Sequence, residues 1–260
     1  MSELPLGAIE RRDPFVGPRL IERAVVVITF APIAKIGDEK NKIVSAFQEA
    51  IRHDYPRFAQ RIEQSVKIEI DEKGQVASAP SGERSWIFQS EDERKKVVLT
   101  TELLALEIQK EAYTNWKDYT EALLKLIDAF EKYAEPSHLA RLGVRYLNTG
   151  PVGGDGDPRQ LCNRALTTIT GKSPLEAADL LWMFRVDEGT LLLRSGIMPA
   201  NATYDAFFRA REGRTWYLDI DVASQNFEPF NREVIAAKLQ AQAERLHAIY
   251  AWAMTKDDER

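Results

Sequence analysis

The sequence predicts an α+β fold in which long helices cover one face of a curved antiparallel sheet. Many short runs alternate between apolar and polar residues, which is the period of a half-buried strand. Two long segments instead carry apolar residues at helical spacing, and each closes one half of the chain. After an irregular arm over residues 1–20, residues 21–136 and 137–260 follow the same order of elements, β-α-β4-α. This repeated order predicts two duplicated halves packed as one domain.

The first half begins with residues 24–30, a β-branched run that is typical of a central strand. Apolar residues at helical spacing over 38–53 predict the first helix, and Pro56 stops it. A stripe of apolar residues that starts at Trp116 predicts a long helix, which ends near Pro136. Between the two helices we predict a polar loop over 74–82 and four strands, over residues 66–70, 86–88, 96–101 and 103–108.

The second half opens with a strand over residues 141–148, and a loop rich in Gly and Pro follows over 151–158. A short helix is predicted over 159–171. The dipeptides Glu188-Gly189 and Glu212-Gly213 are typical of tight turns between paired strands. Asn231 is a favourable N-cap for the last helix, which runs to about Met254. The turns join four predicted strands, over residues 180–187, 190–197, 203–211 and 215–222.

Composition limits the classes of partner. The 260 residues include 35 Lys and Arg against 40 Asp and Glu, so the formal net charge is −5, which does not indicate nucleic-acid binding. No apolar run approaches the roughly 18 residues of a membrane span, and the first residues lack the pattern of a signal peptide. Cys162 is the only cysteine, which excludes an intramolecular disulfide. We therefore expect a cytoplasmic protein with no membrane partner and no cofactor.

Alternation in the second half assigns polar side chains to the sheet face opposite the helices. Over residues 218–222 the even-numbered residues are apolar, and the odd-numbered residues are Asp219 and Asp221. The strand 141–148 alternates in the same way and leaves Arg145 on the polar side. The same argument places Phe207 on this face. We predict a ligand-binding face made of Arg145, Arg185, Arg194, Arg209, Arg211, Tyr217, Asp219 and Asp221.

Two interpretations of this face stay open. Paired charges on neighbouring strands can simply keep a solvated sheet soluble and in register. Alternatively, arginine side chains bind carboxylate or phosphate groups at two points, and aromatic rings add surfaces for stacking. On this second hypothesis the chain is a binding or interaction protein, and its partner is a protein segment or a small anionic ligand. The excess of arginine over lysine on these strands favours it.

The enzymatic alternative is a metal-dependent hydrolase or nuclease-like enzyme. Asp219 and Asp221 stand two residues apart on one strand, so both point the same way and offer oxygen ligands to a divalent cation. No third carboxylate stands at a recognisable spacing, so no metal site is assigned. The three histidines share no motif spacing, and Cys162 has no histidine beside it in sequence. A non-enzymatic function is therefore the preferred hypothesis.

Several segments, taken in order, resemble a sporadically distributed, uncharacterised bacterial protein family of about this length. The strongest match is the strand motif that contains Arg141, Gly143, Arg145, Tyr146 and Asn148, and others are residues 20–25, 86–90, 113–116 and 218–222. The resemblance implies no established activity, and the patchy occurrence of the family implies an accessory or defence role. The order of elements is also similar to that of TATA-binding-protein-like folds, in which two such units share one curved sheet with the helices on its convex side.

The last helix carries an apolar band that is wider than packing on one sheet face needs. Two interpretations of what covers the remaining apolar residues stay open. A second copy of the chain covers them in the first, which gives a homodimer. In the second, the arm over residues 1–20 covers them with Leu6, Phe15 and Val16.

Overall fold

The protein is an α+β structure with a large antiparallel sheet and few helices. The computed structural model describes residues 3–9, 20–38, 40, 42–70, 76–153, 157–167, 175–203 and 208–255, with the side chains of 63–70 and 76–83 outside the description. The strands are β1 (Ile21–Phe30), β2 (Arg57–Ile70), β3 (Val76–Gln89), β4 (Lys95–Leu99), β5 (Leu103–Gln109), β6 (His138–Pro151), β7 (Ala178–Val186), β8 (Gly189–Met198), β9 (Thr215–Ser224) and β10 (Glu228–Pro229). The α-helices are α1 (Ala34–Gly37), α2 (Ile43–Ile51), α3 (Trp116–Ala134), α4 (Arg164–Thr167) and α5 (Arg232–Ala253).

Hydrogen-bonded neighbours in the sheet follow the order β2-β3-β4-β5-β1-β6-β9-β8-β7, and β10 pairs with β6. The pairs β2–β3, β3–β4, β4–β5, β6–β9, β7–β8 and β8–β9 are all antiparallel. Two residues, Asp187 and Glu188, connect β7 to β8. Gly189 then takes a φ of +132°, and a Cβ built there would lie 2.2 Å from the carbonyl oxygen of Ala223. Glycine is therefore required where this turn enters β8.

The chain divides into two compact units. Unit 1 consists of Met1–Val26, Leu142–Gln225 and Glu233–Arg260, and unit 2 consists of Val27–Arg141 and Asn226–Arg232. The strands β1 and β6 and the helix α5 each contribute residues to both units. The division into an arm and two halves at residues 21–136 and 137–260 stays a prediction.

In unit 2, helices α2 and α3 pack on the sheet through aromatic side chains. The rings of Phe30 in β1 and Phe130 in α3 lie 4.7 Å apart, and those of Phe47 in α2 and Phe88 in β3 lie 5.5 Å apart. Helix α3 begins after Asn115, whose side chain accepts a hydrogen bond from the backbone of residue 118. It ends because Glu135 adopts the left-handed conformation before Pro136. The boundaries that the sequence predicts for this helix are confirmed.

In unit 1, helix α5 lies on the apolar face of β6, β8 and β9. Trp216, Leu218 and Ile220 of β9 are completely buried, as are Leu239 and Leu246 of α5. The side-chain amide of Gln242 donates hydrogen bonds to the backbone carbonyl of Leu142 and the hydroxyl of Ser224. The period-two alternation therefore assigns Leu218 and Ile220 correctly to the face beneath α5, whereas Tyr217 and Asp219 on the opposite face are buried as well.

The structure corrects three predictions. Strand β3 begins at Val76, so residues 76–82 are not a loop, because they pair with β2 in a long hairpin. The short helix predicted over 159–171 is two separate turns, a 3-10 helix over Pro158–Gln160 and α4, and residues 168–171 lie outside the described residues. The strand predicted over 203–211 is wrong at Thr203 and at 208–211, which are irregular, and residues 204–207 are not described.

Most of the apolar band of α5 is buried, although Val234 is 40% exposed. Leu239, Leu246 and Ile249 are completely buried, and Trp252 is nearly so. The arm also contacts this helix, because the Leu20 backbone donates to the Tyr250 hydroxyl. Phe15 and Val16 of the arm lie outside the described residues, so the choice between the arm and a second copy stays a prediction. Within the described residues, no helix has the length and apolar character needed to cross a membrane.

An ion pair with a fully buried arginine connects helix α5 to the β7–β8 turn and to the arm, all within unit 1. The guanidinium of Arg245 in α5 donates to both carboxylate oxygens of Glu188, at 2.8 and 3.2 Å, and to the backbone carbonyl of Pro5. The side chain of Arg245 is completely inaccessible to solvent. Since an unpaired buried charge is costly, this pair ties the β7–β8 turn and the arm to the helix.

Candidate ligand-binding face

Strands β6, β7, β8 and β9 of unit 1 turn one face away from α5, and we call it the arginine face. It consists of the odd-numbered residues of β6, β7 and β9 and the even-numbered residues of β8, because successive side chains in a strand alternate between faces. The registers place Arg194 between Leu181 and Asp219, and Arg145 opposite Asp221. Six of the eight predicted site residues lie on these strands, and they are Arg145, Arg185, Arg194, Tyr217, Asp219 and Asp221.

The central contact of the arginine face joins Arg145 to Asp219. The Nε atom of Arg145 donates to Oδ1 of Asp219 at 2.8 Å, and its Nη2 atom donates to Oδ2 at 2.6 Å. The bond is diagonal, because the residue directly opposite Arg145 is Asp221. Asp219 is only 5% exposed, so the positive charge of Arg145 compensates the negative charge of a buried carboxylate. Both oxygens of Asp219 are therefore occupied by a protein group.

A second carboxylate, Asp179 on β7, receives three hydrogen bonds. Arg194 donates from Nε and Nη2 to its two oxygens, each at 2.7 Å, and the Tyr217 hydroxyl donates to Oδ1 at 2.6 Å. The hydrogen bonds from Arg194 are the main cause that lowers the pKa of Asp179 below its ordinary value. Partial burial opposes this shift, and the bond from Tyr217 adds to it. Asp179 is thus a charged acceptor at neutral pH.

The described part of the segment that joins β8 to β9, residues 199–203 and 208–214, covers one end of the arginine face. Its Phe208 ring lies 4.8 Å from the ring of Tyr217, and both contribute to a buried cluster with Leu147 and Met198. The guanidinium of Arg194 lies 5.7 Å from the Phe208 ring centre and 5.9 Å from that of Tyr217, which is cation–π distance. Tyr217 is therefore buried beneath this segment, with its hydroxyl committed to Asp179.

The same segment carries the other two predicted arginines. Arg211 donates to Glu22 of β1 at 2.7 Å, and the Thr149 hydroxyl donates to the same carboxylate oxygen at 3.3 Å. Arg209 is exposed. The prediction for Phe207 falls outside the described residues.

The uncovered part of the arginine face lies along β7. Leu181 is 61% exposed and Met183 is 70% exposed, although both lie on the same face as the arginines. Arg185 follows them at the same spacing, and it is exposed and makes no hydrogen bond or ion pair with any described residue. Asp221 is partly exposed two strands away. This end of the face thus combines two apolar side chains with a cation open to solvent.

The arrangement offers binding groups more readily than catalytic ones. Among the described residues, no group of three or more His, Cys, Asp or Glu is placed to hold a metal ion. His53 follows α2, His138 starts β6, and His247 lies on α5, so all three are outside the arginine face. Burial, helped by the nearby Asp157, raises the pKa of Cys162 to about 12, against the effect of Arg159. At neutral pH this residue is a thiol rather than a nucleophilic thiolate.

Three residues that contact or form the arginine face are not predicted from the sequence. Asp179 precedes the predicted strand 180–187, although the same alternation extended by one residue places it with Arg185. Glu22 precedes the β-branched run of β1, and no local pattern connects it to Arg211. Phe208 falls within the strand predicted over 203–211, but it packs against Tyr217 on the arginine face.

Comparison with known proteins gives no identification. No protein-family model matches the chain, and no curated protein matches it in sequence. What the chain does must therefore follow from the geometry of its own residues.

Proposed function

We propose that the chain is a binding protein whose arginine face takes an extended protein segment with acidic and apolar side chains. The observation that carries the proposal is the exposure of Leu181 and Met183 in line with Arg185 on one strand. Apolar side chains exposed together commonly mark interaction sites. A guanidinium group beside them binds a carboxylate through two charge-assisted hydrogen bonds.

The arginines of the face divide into two classes. Arg145 and Arg194 are bound to Asp219 and Asp179, so they order the sheet and hold the surface in place. Arg211 is bound to Glu22 in the same way. Arg185 is exposed, and it is the arginine that we assign to the partner. The apolar pair on β7 favours a protein segment over a small anionic ligand, because a small anion would use the arginines alone.

The hypothesis of a metal-dependent hydrolase has less support. A divalent cation held by Asp219 and Asp221 would compete with Arg145 for both oxygens of Asp219. Displacing that guanidinium would leave a positive charge beside the cation. A thermal-shift measurement with Mg²⁺ and Mn²⁺ separates the two functions, since the binding protein gains no stability from either ion.

We infer the duplicated, TATA-binding-protein-like arrangement from the strand order. In each half the last strand of the hairpin series lies beside the first strand, β5 beside β1 and β9 beside β6. Among the described residues the halves differ, because β2–β5 are four strands and β7–β9 are three. A fourth strand of the second half would correspond to residues 203–211, of which Phe208 packs on the arginine face. A curved sheet with all helices on its convex side is part of the same proposal.

The resemblance to the sporadically distributed bacterial family implies an accessory or defence role and no established activity. Its strongest motif contains Arg145, which holds Asp219 in the centre of the arginine face. We propose an accessory or defence role in the cytoplasm, in which capture of a partner protein is the biochemical activity.

Fluorescence anisotropy with three labelled short peptides tests the proposed function. One peptide alternates Leu and Glu, the second alternates Leu and Lys, and the third alternates Ser and Glu. The first should bind, and the other two should bind at least about tenfold more weakly, because each lacks either the charge or the apolar side chains. Free phosphate should not displace the first peptide.

Variants locate that binding. Arg185→Glu and Met183→Lys should each weaken binding of the Leu/Glu peptide by about tenfold or more. Arg52→Glu is the matched control for the charge change, since Arg52 is an exposed arginine on the segment after α2. The proposal is wrong if the Leu/Lys peptide binds equally well, or if both variants bind the Leu/Glu peptide like the unaltered chain.

A further inference from the structure

Strand β7 forms one end of the strand order, and among the described strands only β8 pairs with it. Its nine residues contain no Pro, Gly or Lys, and its centre is Leu181-Trp182-Met183-Phe184. Proteins normally protect an edge strand with charges, proline or a bulge, because an unprotected edge pairs with other chains. Strand β2, at the other end of the order, carries the exposed residues Arg57 and Arg61. The edge of β7 has no comparable protection at its centre.

The backbone groups along the outer edge of β7 can be assigned from its pairing with β8. Val186 and Gly189 flank a two-residue turn, which makes them a hydrogen-bonded pair. At the other end, a Cβ built on Gly196 of β8 would lie 2.0 Å from the carbonyl oxygen of Ala178, so that carbonyl points toward β8. Even-numbered residues of β7 therefore bond to β8. The odd-numbered residues direct their N–H and C=O groups outward, and they are Asp179, Leu181, Met183 and Arg185.

We propose that two copies of the chain pair through the outer edges of β7, antiparallel and about a two-fold axis at Trp182. In this register Asp179 faces Arg185 of the second copy, Leu181 faces Met183, and Trp182 faces its own equivalent. The four outward residues of each strand then form the hydrogen-bonded pairs, which agrees with the direction of their backbone groups. The sequence of the strand is thus complementary to itself, in charge and in apolar character.

The two neighbouring registers pair the side chains of β7 less favourably. A shift that places Leu181 on the two-fold axis puts Asp179 opposite Met183 and leaves Arg185 opposite Ala177. A shift that places Met183 on the axis puts Asp179 opposite Asp187, and like charges directly opposite are destabilising. Of the three registers, only the one centred on Trp182 forms two ion pairs between Asp179 and Arg185, and it also pairs Leu181 with Met183 twice and Trp182 with itself. Charge complementarity therefore selects both the occupant and the alignment.

Burial on the inner side of the sheet agrees with a second copy. Leu193 of β8 and Ile220 of β9 are almost completely buried beneath α5, whereas Trp182 and Phe184 of β7 remain partly exposed. A second Trp182 across the axis covers part of this surface. Asp179 is 37% exposed, so it can accept from Arg185 of the second copy while keeping Arg194 and Tyr217 as partners.

The dimer joins the arginine faces of two copies along one continuous sheet. The dimer interface is β7 rather than the apolar band of α5. The dimer proposal does not rest on the peptide-binding function proposed above. If the chain is a monomer that binds the Leu/Glu peptide, the dimer is wrong and the binding function stands.

Light scattering on the full chain at micromolar concentration gives the first test. We expect a mass of about twice 29.5 kDa for the unaltered chain. Met183→Lys should return the mass to 29.5 kDa, because it places a charge at the paired edge. Val234→Lys is the matched control: Val234 is an exposed apolar residue of α5, and the dimer should persist in that variant. A monomeric unaltered chain, or dissociation caused only by Val234→Lys, overturns the proposal.

Oxidative crosslinking tests the register. Residues opposite each other in a non-hydrogen-bonded pair have Cα atoms about 4.5 Å apart, which suits a disulfide. Trp182→Cys should therefore form a covalent dimer under mild oxidation, and the buried Cys162 should not contribute. Phe184→Cys is the control, since its equivalent lies four residues along the facing strand, about 13 Å away. Equal crosslinking by the two variants, or crosslinking by neither in a chain that light scattering shows to be dimeric, contradicts the two-fold axis at Trp182.

Discussion

Arg145 and Asp219 are not opposite each other in the sheet, yet they form the best-defined ion pair of the arginine face. Two parallel hydrogen bonds of 2.8 and 2.6 Å connect the guanidinium to the carboxylate across the diagonal between β6 and β9. The carboxylate is almost completely buried and the arginine is 22% exposed. The pair therefore fixes the position of two strands, and it removes both oxygens of Asp219 from contact with any ligand.

Removing Arg145 should destabilise the protein, because it leaves a buried carboxylate without a partner. We expect Arg145→Ala to lower the free energy of unfolding by about 3–5 kcal/mol in urea denaturation. Arg185→Ala, the exposed control on the same face, should change it by less than about 0.5 kcal/mol. The double variant Arg145→Ala, Asp219→Ala should lose less stability than the sum of the single variants. A loss below about 1 kcal/mol for Arg145→Ala would show that Asp219 is not buried by this contact.

Two arginines of α5 should differ sharply in their contribution to stability. Arg245 is completely buried against Glu188 and the carbonyl of Pro5, whereas Arg232 forms an exposed pair with Asp128. We expect Arg245→Ala to cost about 3–5 kcal/mol of unfolding free energy. The matched change Arg232→Ala should cost less than about 1 kcal/mol. Equal losses would contradict the burial of the Arg245–Glu188 pair.

Asp179 should make the stability of the protein dependent on acid pH. Its pKa in the folded protein lies below the ordinary 3.8, chiefly because Arg194 donates to the carboxylate. The charged form is therefore favoured by folding, and its contribution is present above the ordinary pKa and is lost as the pH falls through the lowered value. Near pH 7, the urea midpoint of the unaltered chain should be higher than that of the Asp179→Asn variant. The difference between the two midpoints should shrink well below pH 3.8. A difference that grows on acidification would reverse the assigned direction of the shift.

Cys162 should be unreactive in the folded protein. Burial, with a contribution from Asp157, raises the pKa of its thiol to about 12, and its sulfur lies 4.0 Å from that of Met254. A thiol-specific reagent at neutral pH should modify it only as fast as the protein unfolds. Adding urea beyond the unfolding midpoint should release the reaction, and rapid modification of the native chain would contradict this burial.

Much of the fold is predictable from the sequence because alternation and helical spacing are local properties. The alternation over 141–148 and 215–222 places the buried and polar faces of β6 and β9 correctly, and the apolar stripe from Trp116 locates α3. Local pattern fails at 208–211. Alternating residues there resemble a strand, but the chain is irregular and Phe208 is buried against Leu147, Met198 and Tyr217.

The pairing within the site depends on contacts between distant parts of the chain, which no local pattern contains. Arg145 reaches Asp219 rather than Asp221, and Glu22 meets Arg211 from the far end of the sequence. Arg245 stands among the polar residues of α5 in sequence, and only the distant Glu188 explains why it is buried. The sequence therefore predicts which residues share the arginine face, whereas exposure and pairing require the folded chain.

Amide chemical-shift mapping by NMR tests the central claim, that the arginine face is the binding surface. The labelled chain would be titrated with the peptide that alternates Leu and Glu, with the Leu/Lys peptide as control. We expect saturable shifts concentrated at Leu181, Met183 and Arg185 of β7, with none from the control peptide. Shifts confined to α5 or to the residues of unit 2, or no shifts at any peptide concentration, would contradict it.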